Sequence, residues 1–229
     1  YVFSASDLIL QMKSPFASWM TRLSIDYPER LAGIAKDQDE MMELLAKKGD
    51  QHEELYLDKL RDEFGSENIV QIVADKKTAG KATLDAMKSG CKVIVQAYLQ
   101  RDNFAGYADF LVRVEGKSNL GDYYYEAWDT KLARSTRPYF AIQLACYSWM
   151  LASLQGYMPN EGVVVLGNGK QDRFRMAALY SYFQSIKHQF LDLQNNFTGD
   201  ESTRPDPALE GDFGAWATYA KSLLTDADS

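Results

Sequence analysis

The chain has 229 residues, of which 46% are apolar and 25% charged, and its formal net charge is −7. Length and composition are typical of a globular chain with one large domain or with a core and a small appendage, and they exclude a disordered, collagen-like or disulfide-stapled protein. No apolar run approaches the roughly 20 residues of a membrane helix, and no signal-peptide pattern opens the chain. We therefore expect a cytoplasmic protein with no membrane partner, and because it begins at Tyr1 we expect it to be part of a longer protein.

The distribution of charge is more informative than its sum. The net charge of −7 opposes non-specific binding to nucleic acid. Between Lys76 and Arg137, however, eleven Lys or Arg residues stand against seven Asp or Glu residues. This distribution allows a basic surface in an acidic chain, although basic residues scattered over solvated faces would give the same excess.

Hydrophobic spacing and turn residues predict the elements of the first half of the chain. Short helical pieces are predicted over 4–19, with a break at Ser14-Pro15, and a long helix over 39–64. They are followed by a strand at 69–73, a helix at 78–89 and three consecutive strands at 92–99, 107–114 and 122–130.

The second half is predicted to begin with a helix from Pro138 to about Gln155. Strands at 163–166 and 173–177, a helix at 180–196 and a terminal helix at 213–224 follow. The glycine-rich turn 167–170 is similar to a phosphate loop, but because no helix follows it we predict a β-hairpin. The order of elements predicts an α/β fold with a mixed central sheet flanked by helices.

Three charged residues lie on neighbouring predicted strands. Asp109 interrupts an otherwise apolar strand, and Asp129 and Lys131 stand two residues apart at the end of the next one. The period of two places Asp129 and Lys131 on the same face. Two carboxylates held about 4 Å apart repel by about 4 kcal/mol at an effective dielectric constant of 20, and a divalent cation relieves that repulsion. Each residue alone is more common as a solvated strand-end charge, but together they indicate a metal site.

Such a site suits the hydrolysis of a phosphodiester. A bound cation lowers the pKa of an attacking water and stabilises the negative charge of the transition state, and a nearby lysine offsets further charge. Because the D-x-K pattern is short, it is weak evidence by itself.

The sequence resembles the RecB-like branch of the PD-(D/E)XK nuclease superfamily. The resemblance is carried, in the family order, by Gly49-Asp-Gln-His52-Glu53, Asp109, Asp129-Thr-Lys131 and Gln143-Leu-Ala-Cys-Tyr147. It implies a restriction-endonuclease-like fold in a single nuclease domain. The core is expected over about 37–197, with the two ends, 1–36 and 198–229, forming a helical appendage.

The resemblance also implies roles for individual residues. His52, Asp109, Asp129 and the carbonyl of Thr130 would bind Mg²⁺ or Mn²⁺. Lys131 would be the catalytic lysine together with Asp109 and Asp129, and the substrate would be bound by Gln143, Tyr147 and Arg134. Without the resemblance, His52 would be interpreted as a core histidine, because it lies on the apolar stripe of its helix. Gln143 and Tyr147 would likewise be interpreted as residues that pack one helix against its neighbours.

Two nearby acids are left out of the metal site. Glu126 is three residues before Asp129, so strand alternation predicts the opposite face and a structural ion pair. Glu53 follows His52 directly on a helix and is expected to face away.

The chain departs from many members of this family at an iron-sulfur cluster that ties their ends together. Gly211, Gly214 and Ala220 stand where three cysteine ligands would fall, and Ser14 stands near the fourth. We therefore expect no iron-sulfur cluster. The ends are expected to be held by packing of aromatic residues, with these candidates: Phe16, Trp19, Phe213 and Trp216.

The expected function is metal-dependent cleavage of DNA, in single strands or at ends. A helicase or second nuclease module, in the same polypeptide or complex, is the expected partner by resemblance. Two alternatives remain open at this stage: a binding module for nucleic acid that keeps the fold without turnover, and a hydrolase of small phosphate esters, which the acidic isoelectric point of about 4.9 would suit.

Overall fold

The structure is a computed structural model that describes residues 1–34, 36–37, 40–209 and 211–227. It contains the mixed α/β arrangement that the order of predicted elements indicates. The helices are α1 (Ala5–Lys13), α2 (Pro15–Asp26), α3 (Glu40–Phe64), α4 (Ala79–Ser89), α5 (Pro138–Gln155), α6 (Met176–Asn195) and α7 (Ala217–Ala227). The strands are β1 (Ile69–Gln71), β2 (Val93–Arg101), β3 (Phe104–Ser118), β4 (Gly121–Thr130), β5 (Glu161–Val165) and β6 (Gln171–Arg175). Position 39, the predicted start of the long helix, lies outside the described residues.

The six strands form one sheet in the order β1-β2-β3-β4-β5-β6. β2, β3 and β4 are antiparallel neighbours, whereas β1 runs parallel to β2 and β5 runs parallel to β4. Parallel neighbours need a crossover, and α4 and α5 are the helices that connect these two pairs. β5 and β6 are antiparallel across the turn 167–170, so the predicted hairpin is confirmed.

The ends of the crossover helices follow from local sequence. Pro138 occupies the first turn of α5, where its missing N–H leaves no helical hydrogen bond unmade. Both α4 and α5 end at a glycine in the left-handed conformation, Gly90 at φ 73° and Gly156 at φ 65°. Of the helices within the described residues, none is both long enough and apolar enough to cross a membrane.

The chain divides into two compact units, and the boundaries fall inside α1, α3 and α6. The first unit comprises Tyr1–Ala5 and Leu44–Phe183 and contains the whole sheet. In its core, three residues of α3 pack against one face of the sheet, where β2 to β5 contribute Val, Phe and Trp side chains. This core consists of Tyr56, Leu57, Leu60, Val93, Val95, Phe110, Val112, Trp128, Val163 and Val165.

The second unit is drawn from Ser6–Glu43 and Gln184–Ser229 and has its own aromatic core. Phe16 and Phe213 meet edge to face at a centroid distance of 5.9 Å. Trp216 donates from Nε1 to the hydroxyl of Thr21 at 3.1 Å. Trp19 belongs to the same buried cluster, so the prediction that these four aromatic residues pack together is confirmed.

Ser14 and Ala220, two of the positions where the resemblance would place cysteine ligands, both contribute to this unit. Ser14 is buried and caps α2, because its hydroxyl oxygen accepts a hydrogen bond from the backbone N–H of Ala17 at 2.9 Å. Ala220 is fully buried in the aromatic cluster. Both positions therefore have a structural role in this chain.

Candidate active site

Asp109 and Asp129 occupy facing positions on adjacent strands. The β3–β4 register pairs Val112 with Glu126 and Phe110 with Trp128, and continuing it by one residue puts Asp109 opposite Asp129. Phe110 and Trp128 share one face of the sheet, so alternation puts the two aspartates on a common face as well. Strand pairing alone thus brings the two carboxylates together.

Asp109 is fixed by the residue that follows Asp129. The backbone N–H of Thr130 donates to Asp109 Oδ2 at 2.8 Å, and the Thr130 hydroxyl donates to the same oxygen at 2.9 Å. Both hydrogen bonds are accepted by Oδ2, so this oxygen fixes the orientation of the carboxylate, and neither of them uses Oδ1.

Lys131 neutralises part of this negative charge. Its Nζ lies 2.7 Å from Asp129 Oδ2, and it also lies 5.5 Å from the centre of the Phe140 ring of α5. The backbone of Lys131 is held as well, because its N–H donates to the carbonyl of Val165 in β5 at 2.9 Å. The backbone hydrogen bond therefore fixes the position of Lys131, and the ion pair with Asp129 fixes the direction of its side chain.

Asp129 is a buried carboxyl group with a raised pKa. The residue is only 3% exposed. Burial and then the charge of Asp109 raise its pKa well above the ordinary value, against the opposing effect of Lys131. Lys131 therefore neutralises the negative charge of the two aspartates only in part.

Gln143 and Tyr147 approach the aspartates from α5. The Gln143 amide donates from Nε2 to the Tyr147 hydroxyl at 3.1 Å, as residues one helical turn apart can. Burial and the charges of Asp129 and Asp109 raise the pKa of Tyr147, so its phenol stays protonated. The ring packs closely on β3, since a Cβ added at Gly106 would stand 3.4 Å from Tyr147 Cε1.

His52 and Arg134 lie differently from the other predicted site residues. His52 Nε2 is 3.4 Å from the carbonyl of Val165, the same carbonyl that receives the Lys131 N–H. Among the described residues, no hydrogen bond joins His52 to either aspartate. Arg134 is exposed on the loop after β4, where its carbonyl accepts a hydrogen bond from Asn168 Nδ2 at 3.3 Å.

Sequence reasoning was wrong about the direction of Glu53. Its half-buried carboxylate accepts a hydrogen bond from Gln96 Nε2 at 2.5 Å. Burial and then the neighbouring charge of Asp109 raise the pKa of Glu53 to about 7, so Glu53 lies within electrostatic reach of the site. The Gly-x-x-His-Glu segment contained this signal, because its glutamate is part of the pattern.

Glu126 takes the structural role that strand alternation predicts. It is buried, it accepts a hydrogen bond from Trp128 Nε1 at 3.0 Å, and its Oε1 lies 3.3 Å from Arg173 Nη1. The predicted ion pair is confirmed, and Glu126 stands apart from the aspartate pair.

The donor atoms at the site suit a hard divalent cation. Within the described part of the chain, no three side chains of His, Cys, Asp or Glu form a group that could hold a metal ion by themselves. Mg²⁺ and similar ions need no such group, because they keep several waters and are bound through one or two carboxylates and the substrate phosphate. The facing carboxylates of Asp109 and Asp129, with their incompletely compensated charge, fit an ion of this kind.

Neither a comparison with models of known protein families nor a comparison with curated proteins found a match to this chain.

Proposed function

We propose that this chain is a metal-dependent deoxyribonuclease of the RecB-like branch of the PD-(D/E)XK superfamily, with a restriction-endonuclease-like core. The proposal depends above all on one observation: Lys131 Nζ lies 2.7 Å from a carboxylate oxygen of Asp129, and the intervening Thr130 donates its backbone N–H to Asp109 at 2.8 Å. The antiparallel strands β2 to β4 and the crossover of α5 to the parallel β5 support the fold assignment.

The metal ion of this proposal is Mg²⁺ or Mn²⁺, held by Asp109, Asp129 and the carbonyl of Thr130. The resemblance adds His52, whose Nε2 lies 3.4 Å from the carbonyl of Val165 and which, among the described residues, forms no three-residue ligand group with the aspartates. When bound, such an ion lowers the pKa of a coordinated water and stabilises charge on a phosphoryl oxygen. Asp109 and Asp129 hold their oxygens in place before any substrate arrives, because β-sheet pairing and the hydrogen bonds from Thr130 fix them.

Lys131 has a separate role in the proposal. Its ammonium lies beside the carboxylates on a side chain that is about a quarter exposed, so it is open to a substrate. A cation in that place orients the attacking water and offsets the negative charge that develops on the phosphate. In this proposal Lys131 therefore stabilises the transition state, whereas the aspartates hold the metal ion both before and during the reaction.

Binding of a DNA strand is assigned to the surroundings of the site. The Tyr147 phenol, kept protonated, can donate to a phosphate oxygen, and Gln143 holds it in place. Arg134 and Arg137 are exposed on the loop between β4 and α5 and can contact the backbone phosphates. Single strands or ends are the favoured substrates, and a helicase or second nuclease module is the proposed partner.

The test is cleavage of end-labelled single- and double-stranded DNA by the purified chain, with Mn²⁺ and with a chelator. We expect cleavage with Mn²⁺ and none with the chelator, and none by Asp129→Asn in the same buffer. Binding of DNA without metal-dependent cleavage would instead favour a non-catalytic nucleic-acid binding module.

A further inference from the structure

Gln96 has an unusual backbone conformation in the middle of a strand. Of the described residues other than glycine, two have a positive φ, Gln96 at 53° and Asp102 at 52°. Asp102 lies in the tight turn between β2 and β3, where aspartate commonly adopts this conformation. Gln96 lies inside β2, where the backbone is otherwise extended and glutamine rarely takes a left-handed conformation.

The departure at Gln96 is confined to that residue. The β2–β3 ladder pairs Val95 with Phe110 and Ala97 with Ala108, so the register is the same on both sides. By that register, Gln96 stands opposite Asp109. A strained residue therefore faces one of the two aspartates of the candidate active site.

The side chain of Gln96 connects this position to α3. Its Nε2 donates to Glu53 Oε1 at 2.5 Å, so the residue that stands opposite Asp109 in the ladder holds the Glu53 carboxylate with its side chain. The charge of Asp109 also contributes to the raised pKa of Glu53. An amide is neutral, so it orients the carboxylate without cancelling its charge, unlike a lysine or an arginine. Strained backbone that persists at such a place is commonly part of how a site works.

We propose that Gln96 is a positioning residue, which holds Glu53 beside Asp109 so that a third carboxylate strengthens the binding of a divalent cation at Asp109 and Asp129. The inference rests on the proposed nuclease function for its choice of cation. Glu53 acts through its charge and through water rather than as a direct ligand, which agrees with the absence of a three-residue ligand group among the described residues. Gln96 acts only through Glu53.

The experiment measures binding of Mn²⁺ alone by calorimetry at pH 8, using the full chain. Glu53→Gln keeps the shape of the side chain and removes its charge, and we expect its Kd for Mn²⁺ to rise about 10- to 100-fold, as for other groups that support metal ligands. Gln96→Gly should raise Kd in the same direction, on the order of tenfold. The double variant should bind no more weakly than Glu53→Gln, because the two residues act as one unit.

Stability separates positioning from general damage. Glycine adopts a positive φ without steric cost, so Gln96→Gly should melt at or above the temperature of the parent while it loses Mn²⁺ affinity. Asp102→Gly is the matched control, because it relieves the same φ in the turn and should bind Mn²⁺ as the parent does. Parent-like Mn²⁺ binding by Glu53→Gln overturns the inference, even if Gln96→Gly fails to fold.

A parallel cleavage assay distinguishes this inference from the proposed function. If the parent binds Mn²⁺ with the expected pattern of variants but does not cut DNA, the positioning role stands and the nuclease proposal fails. If the parent cuts DNA with Mn²⁺ and Gln96→Gly binds the ion as tightly as the parent, the positioning role fails alone. A parent that binds no Mn²⁺ overturns both.

Discussion

Asp109 of β3 accepts both the backbone N–H and the hydroxyl of Thr130 of β4 on a single oxygen, at 2.8 and 2.9 Å. The residue between Asp129 and Lys131 is thereby tied to the neighbouring strand. Asp109 fixes the end of β4 as an acceptor, and in the proposed function its charge also attracts a cation. The two contributions can be separated by mutation.

Asp109→Asn and Asp109→Ala should differ in stability. Asparagine keeps an oxygen that can accept from Thr130 but loses the charge, so this variant should stay close to the parent in stability and bind Mn²⁺ more weakly. Alanine also leaves the Thr130 donors without their acceptor, which should cost about 1–3 kcal/mol of unfolding free energy. Urea unfolding with a chelator, and Mn²⁺ calorimetry, measure the two effects. An asparagine variant that binds Mn²⁺ like the parent would contradict the assignment of Asp109 to the metal.

The placement of these residues was largely predictable from the sequence, because alternation along strands is regular. A period of two puts Asp129 and Lys131 on one face and Glu126 on the other, as the structure has them. Helix phase was a poorer guide: Glu53 follows His52 and was expected to face away, yet it meets Gln96 across the fold. Nothing in the sequence indicated the positive φ of Gln96, since glutamine has no preference for that conformation.

Strand length was also harder to predict than strand existence. The meander was expected at 107–114 and 122–130, whereas β3 runs over Phe104–Ser118 and β4 over Gly121–Thr130. The charged residues after Val114 are typical of a turn, but here they pair with β4, as Glu115 does with Tyr123. Cross-strand pairing therefore overrode local propensity, which is common in sheets.

Stability without metal should depend on pH through Glu53. Its pKa is raised to about 7 in the folded state from an ordinary 4.5, so the folded protein favours the protonated form. The contribution to stability is complete below pH 4.5 and is lost as the pH rises to about 7. Glu53→Gln, which cannot ionise, should gain stability relative to the parent between pH 5 and pH 8 (about 3 pH units). Urea unfolding of both proteins with a chelator checks this. If the difference in unfolding free energy between the variant and the parent does not change with pH, the placement of Glu53 is contradicted.

Cation binding should show the opposite dependence on pH. A cation displaces protons from carboxyl groups whose pKa is raised, so Mn²⁺ affinity should increase with pH. The increase should level off above pH 7 or so, because the pKa of Glu53 is about 7. Below it, each displaced proton makes the affinity change by about tenfold per pH unit. Calorimetry from pH 5.5 to 8.5, a span of about 3 units, covers this range. A flat profile would indicate that the ion binds elsewhere.

Gly167 should resist substitution because it packs directly against the loop that begins at Lys131. A Cβ at Gly167 would overlap the backbone carbonyl oxygen of Leu132, so Gly167→Ala must displace this backbone. We expect a loss of about 1–3 kcal/mol of unfolding free energy, as overpacking causes elsewhere.

The matched control for Gly167→Ala is the same substitution at Gly49. Gly49 lies inside α3 with open space around its Cα, so Gly49→Ala should raise stability by about 0.5–1 kcal/mol. Urea unfolding of the two variants compares them directly. Equal effects at the two positions would show that the contact with Leu132 does not constrain the loop.

The second unit should depend on its aromatic packing. Phe16 is fully buried against Phe213, so Phe16→Ala should cost about 3–5 kcal/mol in this unit. Ile25, on the same helix α2, is 59% exposed, and Ile25→Ala should change stability by less than about 0.5 kcal/mol. Thermal unfolding of both variants, with iron analysis of the parent, tests whether packing rather than a cluster holds this unit. Stoichiometric iron in the parent, or full stability of Phe16→Ala, would contradict the account.

The rate of DNA cleavage by Lys131→Ala, measured beside its Mn²⁺ affinity, tests the central claim most directly. In the proposed reaction Lys131 acts on the transition state, so its loss should lower the rate on the order of 100- to 10,000-fold. Mn²⁺ affinity should be kept or increased, because the ammonium that pairs with Asp129 at 2.7 Å is gone. Lys81→Ala, which removes an exposed lysine paired with Asp85 on α4, is the control and should cut at the rate of the parent. If Lys131→Ala cuts DNA as fast as the parent, the site described here is not the site of cleavage.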